Sequence, residues 1–257
     1  MIVFPFDAHD LAAALGRREF FLEFQPQVRA STAAVTGAEA LVRWRRPGGI
    51  VPPLQFIPVA EKSGFISTLG FWVLDQALAA ACLWPPSWSL SVNVSSRQME
   101  QTTFPDEVKR ALARRGFPAP RLTLEMTESL VIDQPDRTRD VLVRLRKSGV
   151  RIALDDFGTG YSSLLHVRDF PLDELKVDRA FVTSLEEHRE SAVLVDSILR
   201  LAQSLGLATT AEGVENRRQA EILTTLGCDN LQGYLFSPPV SDPLVPFPPG
   251  PHPTPGL

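Results

Sequence analysis

The sequence predicts an α/β fold, a closed barrel of eight strands with helices packed around it. Three observations lead there. Short apolar runs alternate with amphipathic stretches along most of the chain, which implies parallel pairing through right-handed crossovers. About eight such runs fall in about 240 residues, the size of a (β/α)8 barrel. Nearly every run also ends in a carboxylate, an amide or an ammonium, as expected where all strand C-termini open on one mouth.

The elements follow in order. Residues 7–19 read as a helix with Asp7 as N-cap. "FFLEFQPQV" (20–28) alternates until Pro26 interrupts, so the strand is expected to end near Gln25. "AVTGAEALVRW" (34–44) is a second strand, and "PLQFIPVAEKSG" (53–64) and "STLGFWVLDQALAAACLW" (67–84) are helices, the latter capped by Ser67. Then strand and helix alternate. Strands cover 89–95, 121–129, 150–158, 173–179, 207–215 and 229–236; helices cover roughly 103–115, 135–148, 161–169, 189–205 and 216–226. The tail 238–257 has nine prolines in twenty residues, so it can continue neither a helix nor a central strand and reads as an extended surface segment. The expected organisation is one domain, 1–239, followed by a Pro-rich tail, 240–257.

Composition removes several function classes. The 257 residues are 44% hydrophobic, enough for a sizeable core, and carry a net charge of −4. A mildly acidic chain lacks the basic footprint that a nucleic-acid polymer requires. Two distant cysteines and four scattered histidines form neither a disulfide framework nor a zinc site. The N-terminus has no basic flank or apolar core of a signal peptide, and the apolar stretches fall short of a membrane span, so a reduced cytoplasmic setting is expected.

The strand-terminal polar residues are Gln25, Glu39, Asn93, Glu125, Asp155 with Asp156, Lys176, Glu212 and Gln232. Any one of them alone reads as a turn or helix cap. Together they would bring five acids, one lysine and several amides into one cavity. Converging acids repel and raise one another's pKa, so the cavity calls for counter-charge. With no His or Cys cluster, the donors are all oxygens, which select hard cations such as Mg²⁺, Mn²⁺ or Ca²⁺. An adjacent Asp pair suits two neighbouring ions, and two ions about 3.5–4 Å apart are the apparatus of in-line phosphoester hydrolysis.

The motifs "GAEALVRW" (37–44), "VNVS" (92–95), "LEMTES" (124–129), "LDDFGTGYSSL" (154–164), "LKVDRAF" (175–181), "AEGVE" (211–215) and "GCDNLQGYLFSPP" (227–239) resemble, in order, those of the EAL domain family. The resemblance runs from about Phe20 to Pro239. It implies a modified TIM barrel whose first strand is antiparallel, and a cytoplasmic cyclic di-GMP phosphodiesterase releasing linear pGpG. It implies two Mg²⁺ or Mn²⁺ ions, with Ca²⁺ inhibitory. Glu39, Asn93, Glu125 and Asp155 resemble the ligands of the first ion; Asp155 would bridge to the second, joined by Asp156 and Glu212. Lys176 matches the lysine at the hydrolytic water, Glu128 the acid that fixes the following loop, and Glu215 a supporting acid. Gln25, Leu41, Arg43 and Gln232 match dinucleotide contacts, and Pro238 lies in a substrate-proximal segment. A homodimer through the loop Phe157–Leu164 is implied as well. Departures are mild, among them Phe24 for tyrosine, Gln27 where an apolar residue is usual and Met126 for isoleucine. None removes a metal oxygen. Two alternatives stand beside this reading: an inactive cyclic di-GMP sensor module acting through a protein partner, and a barrel enzyme for another phosphodiester.

Overall fold

The computed structural model describes residues 6–127, 135–158, 169–186 and 188–244. Nine strands form one sheet: β1 (Phe20–Arg29), β2 (Val35–Arg46), β3 (Gly49–Val51), β4 (Ser89–Asn93), β5 (Leu122–Thr127), β6 (Arg151–Phe157), β7 (Glu174–Val177), β8 (Ala208–Ala211) and β9 (Asn230–Gln232). Their order is β1-β9-β8-β7-β6-β5-β4-β2-β3, and β1 also pairs with β2, which closes an eight-stranded barrel with β3 as a hairpin extension. Pairing is parallel from β2 through β4 to β9, whereas β1 runs antiparallel to both its neighbours. The barrel with its reversed first strand is the fold that the resemblance implied.

Side chains two apart on a strand share a face, and here the inward face is polar on β4, β5, β7 and β8. Ser89, Ser91 and Asn93 on β4, Thr123 and Glu125 on β5, Glu174 and Lys176 on β7, and Thr210 on β8 alternate with Leu90, Val92, Leu122, Leu124, Leu175 and Val177. The apolar partners pack outward on the helices. Those helices are α1 (Ala8–Gly16), α2 (Pro53–Ser63), α3 (Phe65–Ala81), α4 (Ser96–Met99), α5 (Phe104–Arg115), α6 (Pro135–Lys147), α7 (Arg179–Thr183), α8 (Arg189–Ser204) and α9 (Arg217–Thr225). Asp7 caps α1 as expected, accepting from the His9 and Asp10 amides. On one side of the barrel, Trp44 is fully buried against Phe6, Phe20 and Phe56 and donates its indole N–H to Glu19 at 3.0 Å.

Two expectations need correction. The first strand does not stop near Gln25 but runs to Arg29. Pro26 is tolerated because it lies between the Phe24–Val240 bridge and the β9 pairing that begins at Gln27, where no partner requires its missing N–H. Helix α3 opens at Phe65 rather than Ser67. Gly64, with φ of 80°, ends α2 and starts α3 in one left-handed step that a side-chain cap does not mediate. β3, α4 and α7 are too short to carry a period and went unread. The helix expected at 161–169 falls almost entirely outside the described residues. At the C-terminus, Val240 exchanges two backbone hydrogen bonds with Phe24, at 2.6 and 2.9 Å.

Candidate active site

The C-terminal strand ends deliver their polar residues to one point inside the barrel. That point is the Lys176 ammonium, which is fully buried. It donates to Glu125 at 2.7 Å, contacts Glu212, and lies 3.5 Å from Asp155 and 3.8 Å from Glu39. Each acid comes from a different strand or the turn directly after it, so the convergence is a product of barrel closure. Glu39 is held at both oxygens: Asn93 donates to Oε1 and Gln232 to Oε2, each at 2.6 Å. Gln232 also donates to Gln25 at 3.1 Å.

The pair Asp155–Asp156 sits on a β-bulge. Leu154 pairs with Leu175 and Phe157 with Val177, so two residues of β6 stand opposite Lys176 alone. Asp156 adopts φ of 55°, in the left-handed region, and its amide donates to Asp155 Oδ1 at 3.0 Å. Bulges of this kind re-aim side chains beside functional sites, at a local conformational cost. Adjacent strand residues would otherwise face opposite sides of the wall.

The electrostatics are unbalanced. Burial disfavours the charge of Lys176, but the fields of Asp155, Glu125, Glu212 and Glu39 outweigh it and hold the ammonium well above its ordinary pKa. Burial pushes Glu125 well above the carboxylate range against the pull of Lys176, and pushes Glu212 up to about 8. Burial, the charge of Asp155 and a hydrogen bond with Asp178 bring Asp156 up to about 6. Four carboxylates around one ammonium leave a formal charge of −3 inside the barrel. Such a cluster must take up protons or cations. The donors are all oxygen, which matches hard divalent ions. Among the described residues no three acidic, His or Cys donors surround a metal-sized gap; the carboxylates turn onto the Lys176 ammonium instead. Donor type, convergence and missing counter-charge nevertheless fit divalent cations.

Two clefts open beside the cluster. One of about 300 Å³ is lined by Gln25, Glu39, Leu41, Arg43, Glu212, Glu215, Gln232, Arg179, Tyr234 and Pro239. The other, of about 460 Å³, shares Leu41 and Arg43, reaches Asn93, and has apolar walls from Ile57, Ile66, Leu69 and Val73. Arg43 is paired with Glu23 at 2.7 Å. Glu215 stands at the rim, 2.7 Å from Arg179. Pro238 is exposed, and its neighbour Pro239 lines the cleft. Glu128 lies outside the described residues, as does the loop 157–164 beyond Gly158.

Two residues of this region were not singled out from the sequence, Asp178 beside Asp156 and Arg179 beside Glu215, and a third, Gln27, stood out only as a departure from the family pattern, without its contact to Gln232, to which it donates at 3.0 Å. Gln27 follows Gln25 by two, so the strand period was the signal available for it; Asp178 lies just past β7 as the N-cap of α7.

The family model of the EAL domain matches residues 8–239. The chain is 43% identical over 237 residues to the bifunctional diguanylate cyclase/cyclic di-GMP phosphodiesterase MucR of Pseudomonas aeruginosa, a match covering 90% of this chain and 35% of that protein. It is 37% identical over 235 residues to the cyclic di-GMP phosphodiesterase PA2567 of the same organism, covering 90% of this chain and 40% of the relative. It therefore spans well under half the length of these two relatives. Among solved structures, the PaMucR phosphodiesterase in complex with c-di-GMP superposes with a TM-score of 0.87 at 43% identity, over 90% of this chain and 96% of that one.

Proposed function

The chain belongs to the EAL domain family, and from that premise we propose that it hydrolyses cyclic di-GMP to linear pGpG, using divalent metal ions held at the barrel mouth. The observation that carries this reading is the buried cluster of Glu39, Glu125, Asp155 and Glu212 around Lys176, short of positive charge and opening on two clefts. The likeness to MucR, to PA2567 and to the dinucleotide complex supports the choice of substrate.

Glu39, Asn93, Glu125, Asp155, Asp156 and Glu212 are the residues that would hold two Mg²⁺ or Mn²⁺ ions. Bound there, such ions supply positive charge to the phosphate oxygens and acidify water. The remaining tasks belong to the chain's own groups. Gln25, Leu41, Arg43 and Gln232 line the cleft where one half of the dinucleotide would lie, and the apolar walls beyond Leu41 suit a flat base. Water attacks phosphorus in line; the new P–O bond forms as the bond to the 3′ oxygen breaks, leaving a 5′-phosphate, and the displaced oxygen takes a proton. Lys176, held as an ammonium, is placed to orient that water, and Glu212, in contact with it, to receive the proton. Glu128 and Glu215 would support the neighbouring loops. Self-association through the 157–164 loop belongs to the same reading, as does a cytoplasmic setting, where the messenger acts. Among the described residues no helix is long and apolar enough to cross a membrane.

The test is incubation with cyclic di-GMP and Mg²⁺ or Mn²⁺, with products separated by chromatography. Linear pGpG is the expected product, and Ca²⁺ in place of Mg²⁺ should suppress it. Glu39→Ala should abolish turnover; full activity in that variant would remove the metal assignment. Tight binding of cyclic di-GMP with metal present but no pGpG would favour a sensor module instead.

A further inference from the structure

We infer that Gln27 is a positioning residue for Glu39, acting through Gln232. The inference rests on the reading of Glu39 as a metal-binding carboxylate. Gln25 and Gln27 lie two apart on β1 and so share the inward face. Gln27 stands directly opposite Gln232 in the antiparallel pairing of β1 with β9. Both side chains are buried, with relative exposures of 5% and 3%.

The amides form a directed chain. Gln27 Nε2 donates to Gln232 Oε1 at 3.0 Å, the one donor that oxygen has among the described residues. With Oε1 turned to Gln27, Gln232 Nε2 faces the opposite way and donates to Glu39 Oε2 at 2.6 Å and to Gln25 Oε1 at 3.1 Å. Gln25 Nε2 in turn reaches the Ser237 carbonyl at 3.4 Å. Asn93 holds the other oxygen of Glu39, so the carboxylate plane is fixed from two sides. One of those sides depends on which way the Gln232 amide points.

An amide's oxygen and nitrogen are nearly equal in shape, so hydrogen bonding selects its orientation. Removing the Gln27 donor leaves Gln232 Oε1 buried without a partner, a state that costs more than the bond itself is worth. The amide then has reason to turn or shift, and its oxygen would meet the carboxylate of Glu39. Gln27 also lines a polar cavity of about 460 Å³ at the other end of the barrel, beside Glu174 and Asn230. It thus lies between that cavity and the Gln232 amide that holds Glu39.

The test uses Gln27→Met, nearly the same shape without a donor, together with Gln27→Leu, Gln232→Leu and the double variant Gln27→Met/Gln232→Leu. Mn²⁺ affinity without substrate is read by electron paramagnetic resonance, kcat and KM by pGpG release, and folding by thermal melting. Partners that orient a ligand typically change metal affinity or activity about 10–100-fold. Gln27→Met should therefore weaken Mn²⁺ binding and lower kcat about tenfold or more while KM holds. The double variant should be no worse than Gln232→Leu alone, because both act on one path. Gln27→Leu, which also lacks the donor, should behave like Gln27→Met, and serves in its place if that variant melts early. Wild-type Mn²⁺ affinity and kcat in the folded Gln27 variants, or fully multiplicative effects in the double variant, would overturn the positioning role alone. A wild-type protein that neither binds Mn²⁺ nor releases pGpG would overturn the parent reading and this one with it.

Discussion

At the residue scale, Lys176 has an unusual task, since one ammonium faces four carboxylates in a closed interior. Without it, nothing among the described residues offsets those acids when no metal is bound. Breaking a buried ion pair by removing one partner costs about 3–5 kcal/mol. Lys176→Met in EDTA at pH 7 should lose stability of that order in urea denaturation, and added Mn²⁺ should restore part of it. An unchanged midpoint would mean that the acids are already neutral. Turnover in this variant should fall about 10²-fold, the usual cost of misplacing a reacting group, since the ammonium that would orient the water is gone. The sequence makes Asn93, Glu125, Asp155, Lys176 and Glu212 legible because each falls at or near the end of an apolar run, and Glu39, which sits inside β2 rather than at its end, because of the motif around it. It does not make Gln27 or Asp178 legible, because their importance lies in a partner on another strand, Gln232 in one case and Asp156 in the other.

At the scale of elements, the β6 bulge gives two adjacent acids an arrangement that a regular strand would not. A regular strand would aim Asp155 and Asp156 at opposite faces, and the left-handed backbone at Asp156 changes that aim. Between helices, Asp75 on α3 is bound by Arg114 at 2.9 Å and by Arg115, both from α5. The hydrogen bond from Arg115 and the two guanidinium charges hold its carboxyl below the usual range, against partial burial. A depressed folded-state pKa adds stability above the unfolded value, and the contribution fades as pH falls through the folded one. Asp75→Asn should therefore lower unfolding free energy at neutral pH by no more than about 1 kcal/mol, as suits a partly solvated pair. The difference should close in acid, below the ordinary aspartate pKa of about 3.9. A gap that persists unchanged there would assign the effect to packing rather than charge.

At the scale of the whole molecule, closure of the barrel hides one of the two thiols. Cys228 is buried, and that burial pushes it up to about 12, while Cys82 is exposed. Because the thiolate is the reactive form, a thiol reagent at pH 8 should modify Cys82 promptly and Cys228 only in denaturant. Equal rates in the native protein would mean that the β8–β9 side of the barrel opens readily. The sequence by itself determined the alternating α/β order, the polar residue at each strand end, the all-oxygen donor set and the family motifs, because these follow from local period and residue chemistry. Only the tertiary structure decided that β1 continues through Pro26, that Asp155 and Asp156 share a bulge, and that Gln27 reaches Glu39 by way of Gln232. Each of those depends on which strand lies next to which, a pairing that closing the barrel creates and that no stretch of the chain contains alone.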